Sequence, residues 1–117
     1  MSNENCVFCK ILAGEIPSAK VYEDDKMIVF KDIEPKAKVH LLAVPREHFK
    51  LLSELSESRA MVLAHMLRRI PDIAAQNGCK DGYRLVINQG DDAGQTVFHL
   101  HVHILAGQPL DFPDLRK

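Results

Sequence analysis

The sequence predicts an α+β domain, in which a five-stranded antiparallel sheet is combined with one long and one short helix. Three observations predict it: short β-rich segments separated by turn residues, one long segment with apolar residues at helical spacing, and no repeat or linker along the 117 residues. Short connections favour antiparallel pairing, and helices usually collect on one face of such a sheet. We therefore expect residues 1–117 to form a single domain.

The N-terminal part predicts a short helix followed by a hairpin. The helix is expected over residues 6–12 and ends before Gly14. Asp24 and Asp25 form the turn of the hairpin, and Pro45 ends the strand that comes after it. The strands of this part are expected over residues 20–23, 27–31 and 39–44.

The C-terminal part predicts the long helix and the last two strands. Apolar residues recur at helical spacing over residues 56–76, and Gly78 stands in the stop position. Pro71 lies inside this segment, so we expect it to kink the last turns or to divide the helix. The strands are expected over residues 83–88 and 99–105, with a loop over residues 89–96 between them.

Composition narrows the classes of partner. The formal net charge is -1 and no run of Lys or Arg is dense enough to follow a phosphate backbone, so nucleic acid is not an expected partner. The N-terminus lacks the pattern of a signal peptide and no apolar run is long enough to cross a bilayer, which predicts a cytoplasmic protein without membrane contact. A domain of this size gains from an extra stabilising device, such as a metal or a dimer interface.

Three histidines alternate with apolar residues in Phe98-His99-Leu100-His101-Val102-His103-Ile104. A strand would send the three imidazoles to one face and the apolar side chains to the core. Side chains two positions apart on a strand are separated by roughly 6.7 Å, so one metal ion cannot easily bind all three. Histidine is neutral and nucleophilic near neutral pH, and the pattern therefore favours a nucleophile with accompanying proton donors.

The same segment carries a resemblance to a known family. His-Leu-His-Val-His-Ile-Leu at residues 99–105 matches the H-x-H-x-H-x-x motif of the histidine triad (HIT) family, and Gly94-Gln95-Thr96 precedes it as in the Hint branch. The resemblance implies a homodimer with a sheet that extends across both subunits. It also implies hydrolysis of purine nucleoside phosphoramidates such as adenosine 5'-monophosphoramidate. The other matching segments are residues 8–11, 14–17, 30–33, 40–42 and 88–90.

The resemblance implies roles for four histidines. His101 would attack the α-phosphorus and form a nucleotidyl-histidine that water then hydrolyses, while His103 would hydrogen-bond the phosphate oxygens. His99 would support this pair. His40 matches a remote fourth histidine that handles protons beside His101. From the residues alone, His40 is also compatible with a histidine buried in the core.

The resemblance also implies a set of substrate-binding residues. Asp32 would accept hydrogen bonds from both ribose hydroxyls, although an exposed turn aspartate is the alternative. Asn88, Gly94, Gln95 and Thr96 would offer main-chain and side-chain groups to the phosphate. Thr96 stands where the family commonly has serine, which keeps the hydroxyl and adds a methyl. An apolar wall around the base would come from Phe8, Ile11, Phe30, Ile33 and Leu42, which core packing explains nearly as well.

Cys6 and Cys9 form a C-x-x-C pair, which is half of a tetrahedral metal site. The resemblance to bacterial relatives with this pair implies that His48 and His99 complete a structural zinc site, with no cofactor needed for catalysis. The alternative is two cysteines that simply pack. Cys79, near the end of the long helix, is expected to be inert.

Two other functions remain open at this point. A dinucleoside polyphosphate hydrolase shares the histidine motif, although the chain length and the Hint-like segments disfavour it. A zinc-stabilised nucleotide-binding or scaffold protein with little turnover belongs to a different class. In the transferase branch glutamine replaces the third histidine, so His103 favours water as the acceptor.

Overall fold

The computed structural model describes residues 5–116, and within this range it contains five strands and two α-helices. The strands pair antiparallel in the order β1-β2-β3-β5-β4, which confirms the predicted sheet. No helix in this range is both long and apolar enough to cross a membrane. The elements are α1 (Val7–Leu12), β1 (Lys20–Glu23), β2 (Met27–Lys31), β3 (Val39–Pro45), α2 (Glu57–Gln76), β4 (Tyr83–Val86) and β5 (Val102–Ala106), with short 3-10 helices at Leu52–Glu54 and Asp91–Ala93.

The long helix spans the predicted range, except that Ser56 lies just before its first residue. Ser56 caps its N-terminus by accepting a hydrogen bond from the Arg59 main-chain N–H at 3.2 Å. After its last residue, Gly78 adopts a φ of 87°, a conformation that favours glycine. The helix runs without interruption through Pro71, so the expectation that the proline divides it is wrong. Burial of the apolar face against the sheet holds both sides of the proline in one helix.

The two helices cover opposite faces of the sheet, and the expectation that they share one face is wrong. The side chains of α2 pack on Met27, Val29, Leu41 and Ala43. The side chains of α1 pack on the alternate residues of the same strands. Strands β2 and β3 are buried on both sides, so each of their faces needs a cover. The α1-facing residues are Ile28, Phe30, Leu42 and Val44.

The histidine segment is only partly a strand. Pairing with β3 begins at Val102, opposite Ala43, so the predicted start at residue 99 is wrong and His99 and His101 precede the strand. Phe98, expected in the core, is 45% exposed. Leu100 is buried, and its main-chain N–H donates to the Phe49 carbonyl at 2.7 Å. The irregular segment therefore turns His99 into the interior before the ladder begins. Strand β4 also ends earlier than predicted, at residue 86.

Candidate active site and metal centre

Cys6, Cys9, His48 and His99 bring four ligand atoms together, all within 4.8 Å of one another. The Cys6 Sγ lies 3.4 Å from His99 Nδ1, and the Cys9 Sγ lies 3.3 Å from His48 Nδ1. The two Nδ1 atoms are 3.2 Å apart. Tetrahedral zinc, with bonds of about 2.0 to 2.3 Å to nitrogen and sulfur, needs ligand atoms about 3.3 to 3.8 Å apart. The four residues therefore fit a structural zinc site.

The protonation of His99 also suits a metal ligand. Its Nε2 lies 2.8 Å from the Pro45 carbonyl oxygen, which can only accept, so Nε2 carries the proton and Nδ1 presents its lone pair to the cysteines. Burial lowers the pKa of His99 to about 4. Burial also lowers the pKa of His48, so both rings are neutral near pH 7.

His99 is fully buried, and its two ring nitrogens face the metal cluster and Pro45. Neither nitrogen is left to contact a substrate, so the expected catalytic support does not come from its side chain. The contribution of His99 next to His101 is its main-chain carbonyl. That carbonyl lies 2.7 Å from His101 Nδ1.

This contact fixes the protonation of His101. A carbonyl oxygen only accepts, so Nδ1 carries the proton and Nε2 keeps a free lone pair. Burial lowers the pKa of His101, although the hydrogen bond to His99 and the charge of Asp32 oppose this shift. The ring is therefore neutral near pH 7, with Nε2 as its nucleophilic atom.

A relay of hydrogen bonds gives His103 the opposite tautomer. The Lys36 main-chain N–H donates to His40 Nδ1 at 3.0 Å, so the proton of the neutral His40 ring is on Nε2. That Nε2 lies 2.9 Å from His103 Nδ1, which accepts, and 3.4 Å from an Asp32 carboxylate oxygen. Burial lowers the pKa of His103 to about 4, so its ring is neutral with the proton on Nε2. His40 thus contacts His103 directly, where the sequence predicted a place beside His101.

Asp32 combines the two roles that the sequence left open. One carboxylate oxygen accepts from the Glu34 main-chain N–H at 2.8 Å, as a turn aspartate does. The other oxygen faces His40 at 3.4 Å, and the side chain keeps 19% of its surface exposed. A ligand can therefore reach the carboxylate.

Four residues of the predicted apolar wall are buried together, and the fifth stands apart. Phe8 lies edge-on to His101, with ring centroids 4.9 Å apart. Ile33 is 93% exposed, so core packing does not account for it. The buried residues are Phe8, Ile11, Phe30 and Leu42.

Gln95 holds the loop before the histidines. Its Oε1 accepts from the Gly90 main-chain N–H at 2.9 Å, and its Nε2 donates to the carbonyls of Lys50 and Val97. The amide is buried and fully engaged, so the expected side-chain contact with substrate is not available. Gly94 adopts a φ of 81°, in the left-handed region that favours glycine. The structure leaves Asn88 half-buried and Thr96 exposed.

Known proteins resemble this chain in sequence and in overall fold. The family model described as "Scavenger mRNA decapping enzyme C-term binding" matches residues 5–112. The solved "HIT family hydrolase from Clostridium thermocellum Cth-393" superposes with a TM-score of 0.89 at 44% identity, covering 99% of this chain and 97% of that one. The chain belongs to the HIT family.

Two relatives of this HIT protein align with it over most of its length and most of their own. "Protein HitA" of Neisseria gonorrhoeae is 47% identical over 107 residues, which are 92% of this chain and 99% of that protein. The "14 kDa zinc-binding protein" of Zea mays is 41% identical over 109 residues, which are 92% of this chain and 85% of that protein. The name of the second relative agrees with the zinc geometry of Cys6, Cys9, His48 and His99.

Sequence reasoning missed the groups that set the tautomers. They are the main-chain N–H of Lys36, which any residue except proline could supply, and the carbonyls of Pro45 and His99, which any residue could supply. It also missed that the turn residue Asp24 accepts from His65 at 2.7 Å and so ties the hairpin to α2. These contacts depend on the folded chain, and no local pattern signals them.

Proposed function

We propose that this HIT protein hydrolyses purine nucleoside 5'-phosphoramidates, of the adenosine 5'-monophosphoramidate type, through a covalent nucleotidyl-histidine on His101. One observation carries the proposal: His101 and His103 lie side by side in opposite tautomers, with ring centroids 5.0 Å apart. One ring offers a lone pair and its neighbour offers a proton. Displacement at phosphorus needs this combination.

The reaction proceeds in two displacements at the α-phosphorus. His101 Nε2 attacks, a bond from Nε2 to phosphorus forms, and the bond from phosphorus to the amine nitrogen breaks. The amine takes the electron pair together with a proton from the Thr96 hydroxyl, which is exposed and regains a proton from solvent. Water then attacks phosphorus, the Nε2 bond breaks, and the proton of the water returns to solvent.

Charge that develops on the phosphate oxygens is stabilised by donors already in place. The Nε2–H of His103 donates to one oxygen, since its Nδ1 is held by His40 at 2.9 Å. The main-chain N–H groups of Gly94 and Gln95 already donate to carbonyls within the loop. The further donor is the main-chain N–H of Thr96, in the segment that the buried Gln95 amide holds. Asn88 supplies a side-chain donor from the start of the same loop.

The rest of the substrate is bound by the other predicted residues. Asp32 accepts from the ribose hydroxyls through its partly exposed carboxylate. The buried apolar cluster with Phe8, Phe30 and Leu42, together with the exposed Ile33, provides a wall for the purine. No step of this chemistry uses a metal. Zinc on Cys6, Cys9, His48 and His99 would supply a cross-link between three segments of the chain.

Two further parts of the proposal concern assembly and branch. Strand β4 is an edge of the sheet and exposes Tyr83 and Leu85, which supports a homodimer whose sheet continues across this edge. The Gly94-Gln95-Thr96 segment supports membership of the Hint branch. The Clostridium thermocellum relative carries the name "HIT family hydrolase", and this name supports hydrolysis as the class of reaction.

The test compares the protein with His101→Ala on an adenosine phosphoramidate and on diadenosine polyphosphates, following nucleotide release. We expect the variant to lose about 1,000-fold or more in kcat, because the covalent step has no substitute. The matched control is His65→Gln, which removes a histidine on α2 that contacts Asp24. Equal rates for wild type and His101→Ala would overturn the mechanism. Faster cleavage of the diadenosine substrates would overturn the phosphoramidate assignment.

A further inference from the structure

We propose that the zinc site formed by Cys6, Cys9, His48 and His99 positions the attacking imidazole of His101, through the main-chain carbonyl of His99 and the ring of Phe8. The inference rests on the proposed role of His101. It gives the metal site a task in catalysis without contact between metal and substrate. His99 and Phe8 are positioning residues in this account.

The main chain around His101 needs such a support because it lies outside the sheet. The ladder between β3 and β5 begins at Val102, one residue after His101. Before that point, the segment is held by the Leu100 N–H on the Phe49 carbonyl at 2.7 Å and by the side chain of His99. The orientation of His101 therefore depends on how firmly His99 is fixed.

The first path runs through His99. Its ring is clamped between the Pro45 carbonyl at 2.8 Å and the ligand cluster, where Cys6 Sγ lies 3.4 Å away. Its carbonyl accepts the Nδ1 proton of His101 at 2.7 Å and so selects the tautomer with a free Nε2. A residue fixed at its side chain by a metal thus fixes the neighbouring nucleophile through its main chain.

The second path runs through Phe8 of α1. In sequence, Phe8 lies between Cys6, which caps this helix, and Cys9 within it. Its ring packs on His101 with centroids 4.9 Å apart and planes at 88°. It also packs on Phe30 with centroids 5.6 Å apart. A helix of six residues has little stability of its own, so the two cysteine bonds to zinc would hold this ring in place.

Without zinc, the four ligand residues lose their bonds to the metal and keep only weak contacts with one another. The Nδ1 atoms of His48 and His99, 3.2 Å apart, are both acceptors in the ligand state. When the cation is absent, no bond fixes the orientation of either ring, and only contacts of 3.2 to 3.6 Å within the cluster remain. We expect the His99 carbonyl to shift and His101 to populate both tautomers.

The experiment reads the tautomer of His101 directly, by long-range proton–nitrogen correlation on protein labelled with 15N-histidine and loaded with zinc. His48→Ala removes a ligand that does not contact His101, and His48→Cys restores a four-ligand set. Bound metal is followed by cobalt substitution and its visible absorption. We expect one tautomer in wild type and His48→Cys, and a mixture in His48→Ala. We also expect kcat on the phosphoramidate to fall about 10- to 100-fold in His48→Ala with KM nearly unchanged.

Cys79→Ala is the matched control, because Cys79 is buried against a different cluster and should leave both tautomer and kcat unchanged. If His48→Ala fails to fold, Phe8→Leu is used in its place. It keeps all four ligands and removes the contact between the Phe8 and His101 rings. A mixture of tautomers in that variant supports the inference. A single tautomer in every folded variant overturns it, even if His101→Ala abolishes turnover. Turnover that survives His101→Ala instead overturns the proposed function and leaves the tautomer comparison intact.

Discussion

Within residues 5–116, two clusters place ligand-type atoms within 4.8 Å of one another, and they differ in kind. In the cysteine cluster, the outer nitrogen of His99 donates to Pro45, so the inner nitrogen is a bare lone pair. In the cluster of Asp32, His40 and His103, the outer nitrogen of His40 accepts from Lys36, so the inner nitrogen carries a proton. The first cluster is ready for a cation and the second is a hydrogen-bond relay.

The difference shows that the hydrogen bond made by the outer ring nitrogen of a histidine determines what the inner ring nitrogen can do. Both clusters are at least half-buried and both contain two imidazoles. A carbonyl oxygen behind the ring leaves a free lone pair on the opposite nitrogen, and an N–H behind the ring leaves a proton there. The predictions that follow test this distinction at one cluster at a time.

The largest effect is expected at the metal site. Cys9→Ser should reduce bound zinc from one ion per chain to nearly none, whereas Asp32→Asn should leave it unchanged. With free zinc at about 1,000 times its dissociation constant, the lost stabilisation is about 4 kcal/mol. Metal analysis after stripping and reconstitution measures the ratio, and thermal unfolding measures the stability. A second zinc ion that disappears with Asp32→Asn would contradict the distinction between the clusters.

The next effect concerns the donor at the end of the relay. His103→Ala should lower kcat about 100- to 1,000-fold, as loss of one donor to a developing oxyanion does. Bound zinc should stay at the wild-type ratio, because His103 is not a ligand of the cysteine cluster. Steady-state kinetics and metal analysis on the same sample check both statements. A fall in zinc together with kcat would mean that the two clusters act as one.

A smaller effect is expected one step back along the relay. His40→Ala removes the group that holds His103 Nδ1 at 2.9 Å, and kcat should fall about 10- to 100-fold. His40→Gln keeps an amide N–H that can donate, so it should recover part of this loss. The kcat values of the two variants are compared. If His40→Ala and His40→Gln lower kcat equally, hydrogen-bond donation by His40 does not contribute to kcat.

The smallest effect is a dependence of stability on pH. Burial lowers the pKa of His103 to about 4, below the ordinary value of 6.5. Between these values the unfolded chain binds a proton that the folded chain does not, so this contribution is complete above pH 6.5 and is lost as the pH falls towards 4. His103→Asn should therefore flatten the fall in urea midpoint over this range. Parallel curves for wild type and variant would refute this assignment.

Much of the sheet could be predicted from the sequence, because local signals determine it. The hairpin at Asp24 and the end of the long helix before Gly78 follow from turn and capping chemistry. The alternation around His101 is misleading. Periodicity describes side-chain spacing, and it cannot reveal that pairing with β3 begins only at Val102. The opposite faces of the helices likewise become clear only from packing on β2 and β3.

The candidate site is predictable in its residues and not in its connections. The resemblance points to Cys6, His48 and His103, and the structure brings each into one of the two clusters. It also implies that Gln95 touches substrate, but this amide is used by the main chain of its own loop and of Lys50. Such hydrogen bonds depend on the folded backbone, which residue identity alone does not specify.

The central claim is that the free Nε2 of His101 attacks phosphorus. The most direct measurement uses an adenosine phosphoramidate as substrate and stops the reaction within the first turnover, without acid. The modified peptide is then mapped by mass spectrometry. We predict one adenylyl group per active chain on His101, and none in His101→Ala. An adduct on His103, on another residue, or persisting in His101→Ala would contradict the account.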